Sequence, residues 1–333
     1  TRRISRTGGG AALRALLAFV LAIGLMPAIP PTALADEPES GNAALSETSV
    51  ASVFDANGQT EYFESISEAF SEASDESVIT LLRDIEINDS VTVAKSVTLV
   101  LDGHVVTNNV ASERAFIVTG PRFTVDGTAE GSKMVIPEGN AESFGFVKVA
   151  DQSVVTLRGG EYSGNTDNGA FVKVFRNDSI DASGSSVVFI DVTMTSNNRF
   201  FSTDTLDTRA DITMLEVDGG TFQTTGQAFG SDVIHPSKIY FTNAKVTAGT
   251  GPCIEVCGPN ATFTNCTFTV TGENPDNDFG TTAVATSWSG SATINGGAYS
   301  APNGYGVYVY NSGGIITVNS GAVSGGDAAA VAG

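Results

Sequence analysis

The chain has 333 residues, with 37 acidic against 17 basic side chains and a net charge of −20. A surface that negative repels nucleic acid and anionic lipid, which excludes both as partners. It also keeps an extracellular repeat protein soluble.

The chain opens on Thr1 and its last coil stops at Gly333, so both ends read as limits of a fragment. Residues 1–35 have the three parts of a signal peptide in order. A basic stretch carries Arg2, Arg3, Arg6 and Arg14, an apolar run extends from Ala15 to Met26, and small residues end in Ala33-Leu34-Ala35. The apolar run is shorter than the roughly 20 residues that span a bilayer, and Pro27, Pro30 and Pro31 follow it at once. Cleavage is expected between Ala35 and Asp36, leaving no membrane span in the mature chain. Ser5 stands where a twin-arginine signal carries a large apolar residue, so the general secretory route is favoured. The four arginines leave with the peptide, so 13 of the 17 basic side chains remain against 37 acidic ones, a net of −24.

Residues 36–52 are acidic, small and poor in large apolar groups, the composition of a disordered leader. Residues 53–98 are expected to form a small α/β cap. Val53-Phe54 and Tyr62-Phe63 flank an Asn57-Gly58 turn signal and predict a hairpin. Ser65 with Glu68 makes a capping box, and Ile66, Ala69, Phe70 and Ala73 fall on one helical face. Strands are predicted at 78–82, 91–93 and 97–101.

From residue 99 to 333 the sequence repeats a β-rich phrase, a small turn and one further apolar residue. Taking that last residue as the marker, the copies fall at Val105, Ala129, Tyr162, Met194, Phe222, Val246, Phe268, Tyr299 and Val323, at intervals of 22 to 33 residues. A second strand recurs between markers, as in AFIVTG, GFVKVA, AFVKVF and YGVYVY. Units of this size cannot bury their own apolar face and must stack. Val, Thr, Ile, Phe and Gly exclude helical repeats, and unequal coil lengths exclude a propeller. The fold class predicted is all-β, a right-handed parallel β-helix of about nine coils, with rungs about 4.8 Å apart. Gly-Gly, Asn-Gly, Asp-Gly, Asn-Ala and Asn-Cys pairs mark one corner, where positive φ is needed.

The phrase YFESISEAF…VITLLRDI…SVTV…SVTLVLDGHVV between Phe54 and Val106 resembles the N-terminal cap and first coils of pectate-lyase-like β-helix modules on secreted surface proteins of Gram-positive gut bacteria. The resemblance implies the fold. It does not choose between lyase, hydrolase, esterase and inert shaft, all of which this superfold carries.

No Asp-Asp pair, Gly-His-Gly or Arg-x-Lys of the hydrolases is present. Asp102, Asp126, Asp191 and Asp218 recur near one corner and Arg158 stands between them, the arrangement closest to a lyase site; aspartate before glycine is also an ordinary turn residue. His104 and His235 lie far apart in the coil order and cannot share a relay. Cys253, Cys257 and Cys266 are too few for a disulfide framework; burial as small apolar side chains is the preferred reading, with a Cys257–Cys266 bridge left open. No catalytic, cofactor or metal site is assigned, and no tight calcium site is expected. Strand alternation sends Val147, Val149, Val307 and Val309 inward and Lys148, Phe171, Lys173, Phe175, Tyr308 and Tyr310 outward. Trp288, one coil before the tyrosine pair, extends the same face. Trp288, Tyr308 and Tyr310 are therefore the candidate ligand-binding residues, with stacking on sugar C–H groups as the chemistry. A loop around 272–281 folded over these rings is the competing reading. The function expected is a monomeric, non-enzymatic surface module, an adhesin-type shaft or spacer facing extracellular glycans or a host surface; the alternative is a polysaccharide lyase or glycoside hydrolase with an unrecognised site.

Overall fold

The structure is a computed structural model and describes residues 45–140, 142–166, 169–177, 180–181, 184–203, 214–230, 238–273, 281–287, 289–310, 313–326 and 331–332. The signal peptide, most of the leader, His235 and Trp288 lie outside the described residues.

The cap is built around one strand. Ala51–Phe54 pairs antiparallel with Thr60–Phe63 on one side and with Ser77–Leu81 on the other. Its start precedes the expected Val53, and Ser49 is already buried, so the last residues of the expected leader belong to the fold. In the hairpin loop Asp55 Oδ1 accepts from the backbone N–H of Asn57 (2.9 Å) and Gln59 (2.8 Å), and Gly58 supplies the positive φ of 81°. The helix Ile66–Glu72 buries Ile66, Ala69 and Phe70, and Ala73 just beyond it is buried too, the face the spacing gives. Its capping box does not form, because the Ser65 side chain makes no cap hydrogen bond. So short a helix is held by burial rather than by its own ends. The Phe70 ring stands 5.6 Å from Phe116 and 6.0 Å from Phe123, which closes the first coil.

Beyond the cap the chain winds as a right-handed parallel β-helix. Along one face Ser77–Leu81, Val97–Val100, Arg122–Gly127, Val154–Gly159, Ser186–Ile190, Met214–Asp218 and Ile239–Thr242 pair in parallel, in that order. A neighbouring column runs through Ile85–Ile87, Val105–Asn108, Lys133–Val135, Glu161–Gly164, Thr193–Ser196, Thr221–Thr224 and Lys245–Ala248. The two columns merge in the long strands Ala261–Val270, Ser291–Ala301 and Ile315–Gly325. The register places Val106, Met134, Tyr162, Met194, Phe222, Val246, Phe268, Tyr299 and Val323 in one stack. From Tyr162 onward the sequence marker coincides with this stack. Its first two members do not: Val106 replaces Val105, and Met134 replaces Ala129, because the turn before Met134 is longer than the phrase suggested.

The corner between the columns is where the backbone turns left-handed. Asp102, Asp191, Asn243 and Asn265 take φ of 49° to 55°, and the pairs Gly159-Gly160, Gly219-Gly220 and Gly296-Gly297 take 60° to 92°. These are the residue types that enter that region cheaply.

The third face carries Val91–Val93, Arg114–Val118, Gly145–Val149, Ala170–Val174 and Arg199–Thr203. It continues through the single bridges Phe201–Phe229–Ile254 into Ile254–Val256, Thr282–Thr286 and Tyr305–Val309. Val147, Val149 and Val307 are buried and Lys148 only half so, as alternation requires. Phe171 is a correction: it is fully buried, its ring 4.8 Å from Phe146 and 5.8 Å from Phe200. Two successive side chains, Phe146 with Val147 and Phe171 with Val172, both reach the core, and the parallel pairing skips Phe146 and Phe171. Phenylalanines from Phe189 to Phe268 continue the interior as mostly edge-to-face contacts, the arrangement that suits the ring quadrupole.

Candidate functional site: the tyrosine face

The last rungs of the third face hold the expected tyrosines. Val256 lies opposite Thr286 and Thr286 opposite Val309, while Glu255, Ala285 and Tyr308 share one register position. Val256 and Thr286 are buried, whereas Val309, expected inward, is only half-buried at the end of its strand; of the opposite parity, Glu255 and Tyr308 are half-buried and Ala285 between them is fully buried. Cys257, Ser287 and Tyr310 follow just beyond the three strands, and the backbone N–H groups of Ser287 and Tyr310 still donate to Val256 and Thr286 in the rungs before. Tyr305 and Tyr308 stack at 4.8 Å with an interplanar angle of 21°, and Tyr310 stands 6.4 Å from Tyr308. Tyr310 is 45% exposed, and Tyr305 and Tyr308 are half-buried. Sequence reading placed Tyr308 and Tyr310 together and missed Tyr305, which alternation assigns to the opposite parity. The pairing at this strand start skips Gly306, so strict alternation does not hold there.

Next to the rings lies a polar trio that the sequence reading also missed. Ser287 Oγ donates to Glu255 Oε1 at 2.8 Å and stands 2.9 Å from Cys257 Sγ, which is itself 3.7 Å from Glu255 Oε1. The Cys257 thiol lies within donating reach of both the serine oxygen and the carboxylate. Ser287 and Cys257 are buried, and Glu255 is half-buried. The signal available in the sequence was the alignment of IEVC, AVATS and YVY as three copies of one strand.

The lyase-like residues do not converge. Asp126 and Arg158 are register partners with an ion pair of 3.9 Å. Asp218 is reached only through Ile190, so it lies about 14 Å along the axis from Asp126 at the spacing of parallel strands. Paired carboxyls in glycoside hydrolysis stand within about 10 Å. Asp102 and Asp191 are left-handed corner residues, and Asp126 Oδ1 accepts from the N–H and hydroxyl of Thr128. His104 Nδ1 stands 3.4 Å from Asp84 Oδ1. Cys253, Cys257 and Cys266 are buried as thiols, so the open Cys257–Cys266 bridge is not formed. Among the described residues no three His, Cys, Asp or Glu side chains gather as metal ligands would, and no helix is long and apolar enough to cross a membrane.

A second cluster lies earlier on the same outer face. Lys148 and Lys173 are register partners, and their Nζ atoms lie 4.6 and 4.8 Å from the Phe175 ring centre, with Arg114 Cζ at 5.1 Å. Lys148 also pairs with Glu113 at 2.6 Å, so part of this charge is balanced within the fold.

No family model, no curated protein and no solved structure matches the chain. Its parallel β-helix is established by its own strand register, and the tyrosine face by that register alone.

Proposed function

We propose that the chain is an exported, cell-surface β-helix module of the pectate-lyase-like type whose tyrosine face binds extracellular glycans, the rest of the solenoid serving as a rigid shaft. The observation that carries this reading is the Tyr305, Tyr308 and Tyr310 group, with two rings stacked at 4.8 Å and the third 45% exposed on the outside of a regular solenoid. Flat rings beside hydroxyl and carboxylate groups supply what a sugar needs, stacking for its C–H face and hydrogen bonds for its hydroxyls. The spread of Asp102, Asp126, Asp191, Asp218 and Arg158 favours binding over hydrolysis or elimination. Export rests on the basic, apolar and Ala33-Leu34-Ala35 segments of the N-terminus.

The test replaces Tyr308 and Tyr310 by alanine together. At about 1 kcal/mol for each ring contact, glycan binding weakens roughly 30-fold while the melting temperature holds. A fall in melting temperature with no change on a glycan array would show instead that the rings serve packing. Mass spectrometry of secreted material is expected to find Asp36 as its first residue; any other start rejects the proposed cleavage.

A further inference from the structure

Four Asn-Gly pairs occur in the chain, at Asn57, Asn168, Asn295 and Asn303, and Asn168 lies outside the described residues. In such a pair the side-chain amide neighbours the nitrogen of a residue with no Cβ, so nothing on the glycine blocks a five-membered ring between the two. The three described pairs differ in how firmly the fold holds them. Asn295 stands in the strand Ser291–Ala301, with Thr264 as register partner in the rung before and Ser320 in the rung after. Its Oδ1 accepts from Asn319 Nδ2 at 2.8 Å, so turning the side chain onto the Gly296 nitrogen requires the ladder to open. Asn303 is exposed, but its backbone is pinned. Thr281 Oγ1 donates to Asn303 O at 3.1 Å, Tyr305 N–H to Thr281 O at 2.8 Å and Gly304 N–H to Ala301 O at 2.9 Å.

Asn57 is held far less. Ala56, Asn57, Gly58 and Gln59 are all exposed, and no atom lies within 4 Å of a Cβ added to Gly58. The hydrogen bonds of this loop converge on Asp55, and both reacting groups are among its partners. Asn57 Nδ2 donates to Asp55 Oδ2 at 3.0 Å, and Gly58 N–H donates to Asp55 O at 3.1 Å. Two solvent-exposed hydrogen bonds are a small barrier, since such loops open locally at little cost.

We infer that Asn57 is a self-modification site, where the chain turns its own asparagine into aspartate and isoaspartate with water as the only co-reactant. The Gly58 nitrogen bonds to Asn57 Cγ and gives its proton to solvent. The Cγ–Nδ2 bond breaks, and the amide nitrogen leaves as ammonia after taking a proton from water. Water then opens the cyclic imide at either carbonyl. Attack at Cγ restores the ordinary backbone and leaves aspartate. Attack at the backbone carbonyl leaves isoaspartate, with the chain running through Cγ and longer by one methylene. Either product sets a second carboxylate beside Asp55, in place of the amide that donated to it.

The test keeps the purified chain at mildly alkaline pH, folded and in denaturant, and follows each Asn-Gly pair by peptide mapping that separates isoaspartate from aspartate. In the folded chain Asn57 is expected to convert at least about tenfold faster than Asn295 and Asn303, the slowing that an opening cost of about 1.4 kcal/mol imposes on the held pairs. Isoaspartate should be among its products, and in denaturant the three rates should converge. Gly58→Ala, with its fold checked by a thermal melt, should lose most of the conversion, because a Cβ shields the attacking nitrogen. An Asn57 that stays an amide in the folded chain but converts in denaturant is protected by its hairpin, and the inference falls. It falls too if Asn295 or Asn303 keeps pace in the folded chain, or if the difference persists in denaturant and so belongs to local sequence. Aspartate without isoaspartate also overturns it, since direct hydrolysis of the amide needs no ring.

Discussion

Burial governs the chemistry of individual side chains inside the solenoid. It pushes the Cys253 thiol up to about 12 and the Cys266 thiol up to about 11, even though backbone hydrogen bonds pull both down. The folded state therefore keeps these thiols neutral, while in the unfolded chain they ionise near 9.0. The stability they contribute is complete below the unfolded value and is lost as pH rises through the folded ones. The melting temperature is expected to fall progressively from about pH 9 toward pH 11, with a shallower fall in Cys253→Ala. Tyr162 and Tyr299, raised well above their ordinary value by desolvation, act in the same direction at higher pH. Ellman's reagent should leave Cys253 and Cys266 untouched in the folded protein and titrate them in denaturant; native reactivity would contradict their burial. At this scale the sequence told most where strand alternation is strict, as at Val147, Lys148 and Val149. It misled at Phe171, because the parallel pairing skips that residue and it faces inward together with Val172, an irregularity with no period to read.

Single elements are shaped by what the rungs above and below leave room for. A Cβ added to Gly297 would lie 2.0 Å from the carbonyl oxygen of Cys266 in the rung before, and Gly297 has φ of +92°. Gly297→Ala is therefore expected to destabilise by about 3 kcal/mol, read as a drop in the urea midpoint. Asn265→Gly, at the same corner with φ of 53°, should change stability by less than about 1 kcal/mol, since glycine enters that region freely. Equal effects from the two substitutions would mean that conformation at the corner is not what selects its residues. This corner was legible in the sequence because Gly, Asn and Asp are rarely interchangeable for any other reason. The capping box was read from spacing alone and fails, since Ser65 to Glu68 spacing does not decide where a hydroxyl points. The tyrosine face was half legible: alternation placed Tyr308 and Tyr310, while the Glu255–Ser287–Cys257 trio depends on which coil lies next to which, and unequal coil lengths hide that.

For the molecule as a whole, coil length and coil position are separate quantities. Stacked markers such as Met194, Phe222, Val246, Phe268 and Tyr299 keep one column although the chain between them varies. Extra residues therefore leave sideways in the turns. Gly139 sits in such a turn, with φ of +95° and no atom within 4 Å of an added Cβ. A Gly-Ser-Gly insertion after it should cost under about 1 kcal/mol, since lengthening a loop is thermodynamically mild. One residue inserted between Thr156 and Leu157 should instead abolish folding. It shifts the register against Val125 and Phe189 and turns Arg158 toward the core. Circular dichroism melts of the two insertions separate these outcomes, and a stable strand insertion would refute the register.

The shared column has a further consequence for how such a molecule can change over generations. Val246 and Phe268 occupy equivalent places in successive coils, so residues 246–267 begin and end at matching points of the winding. A tandem copy of that stretch made by unequal recombination would enter as one more rung. Each strand would find a neighbour much like its present one, and the shaft would lengthen by about 4.8 Å. The distance across which the tyrosine face is held from the cap is thus adjustable in discrete steps, by counting coils rather than by remaking contacts.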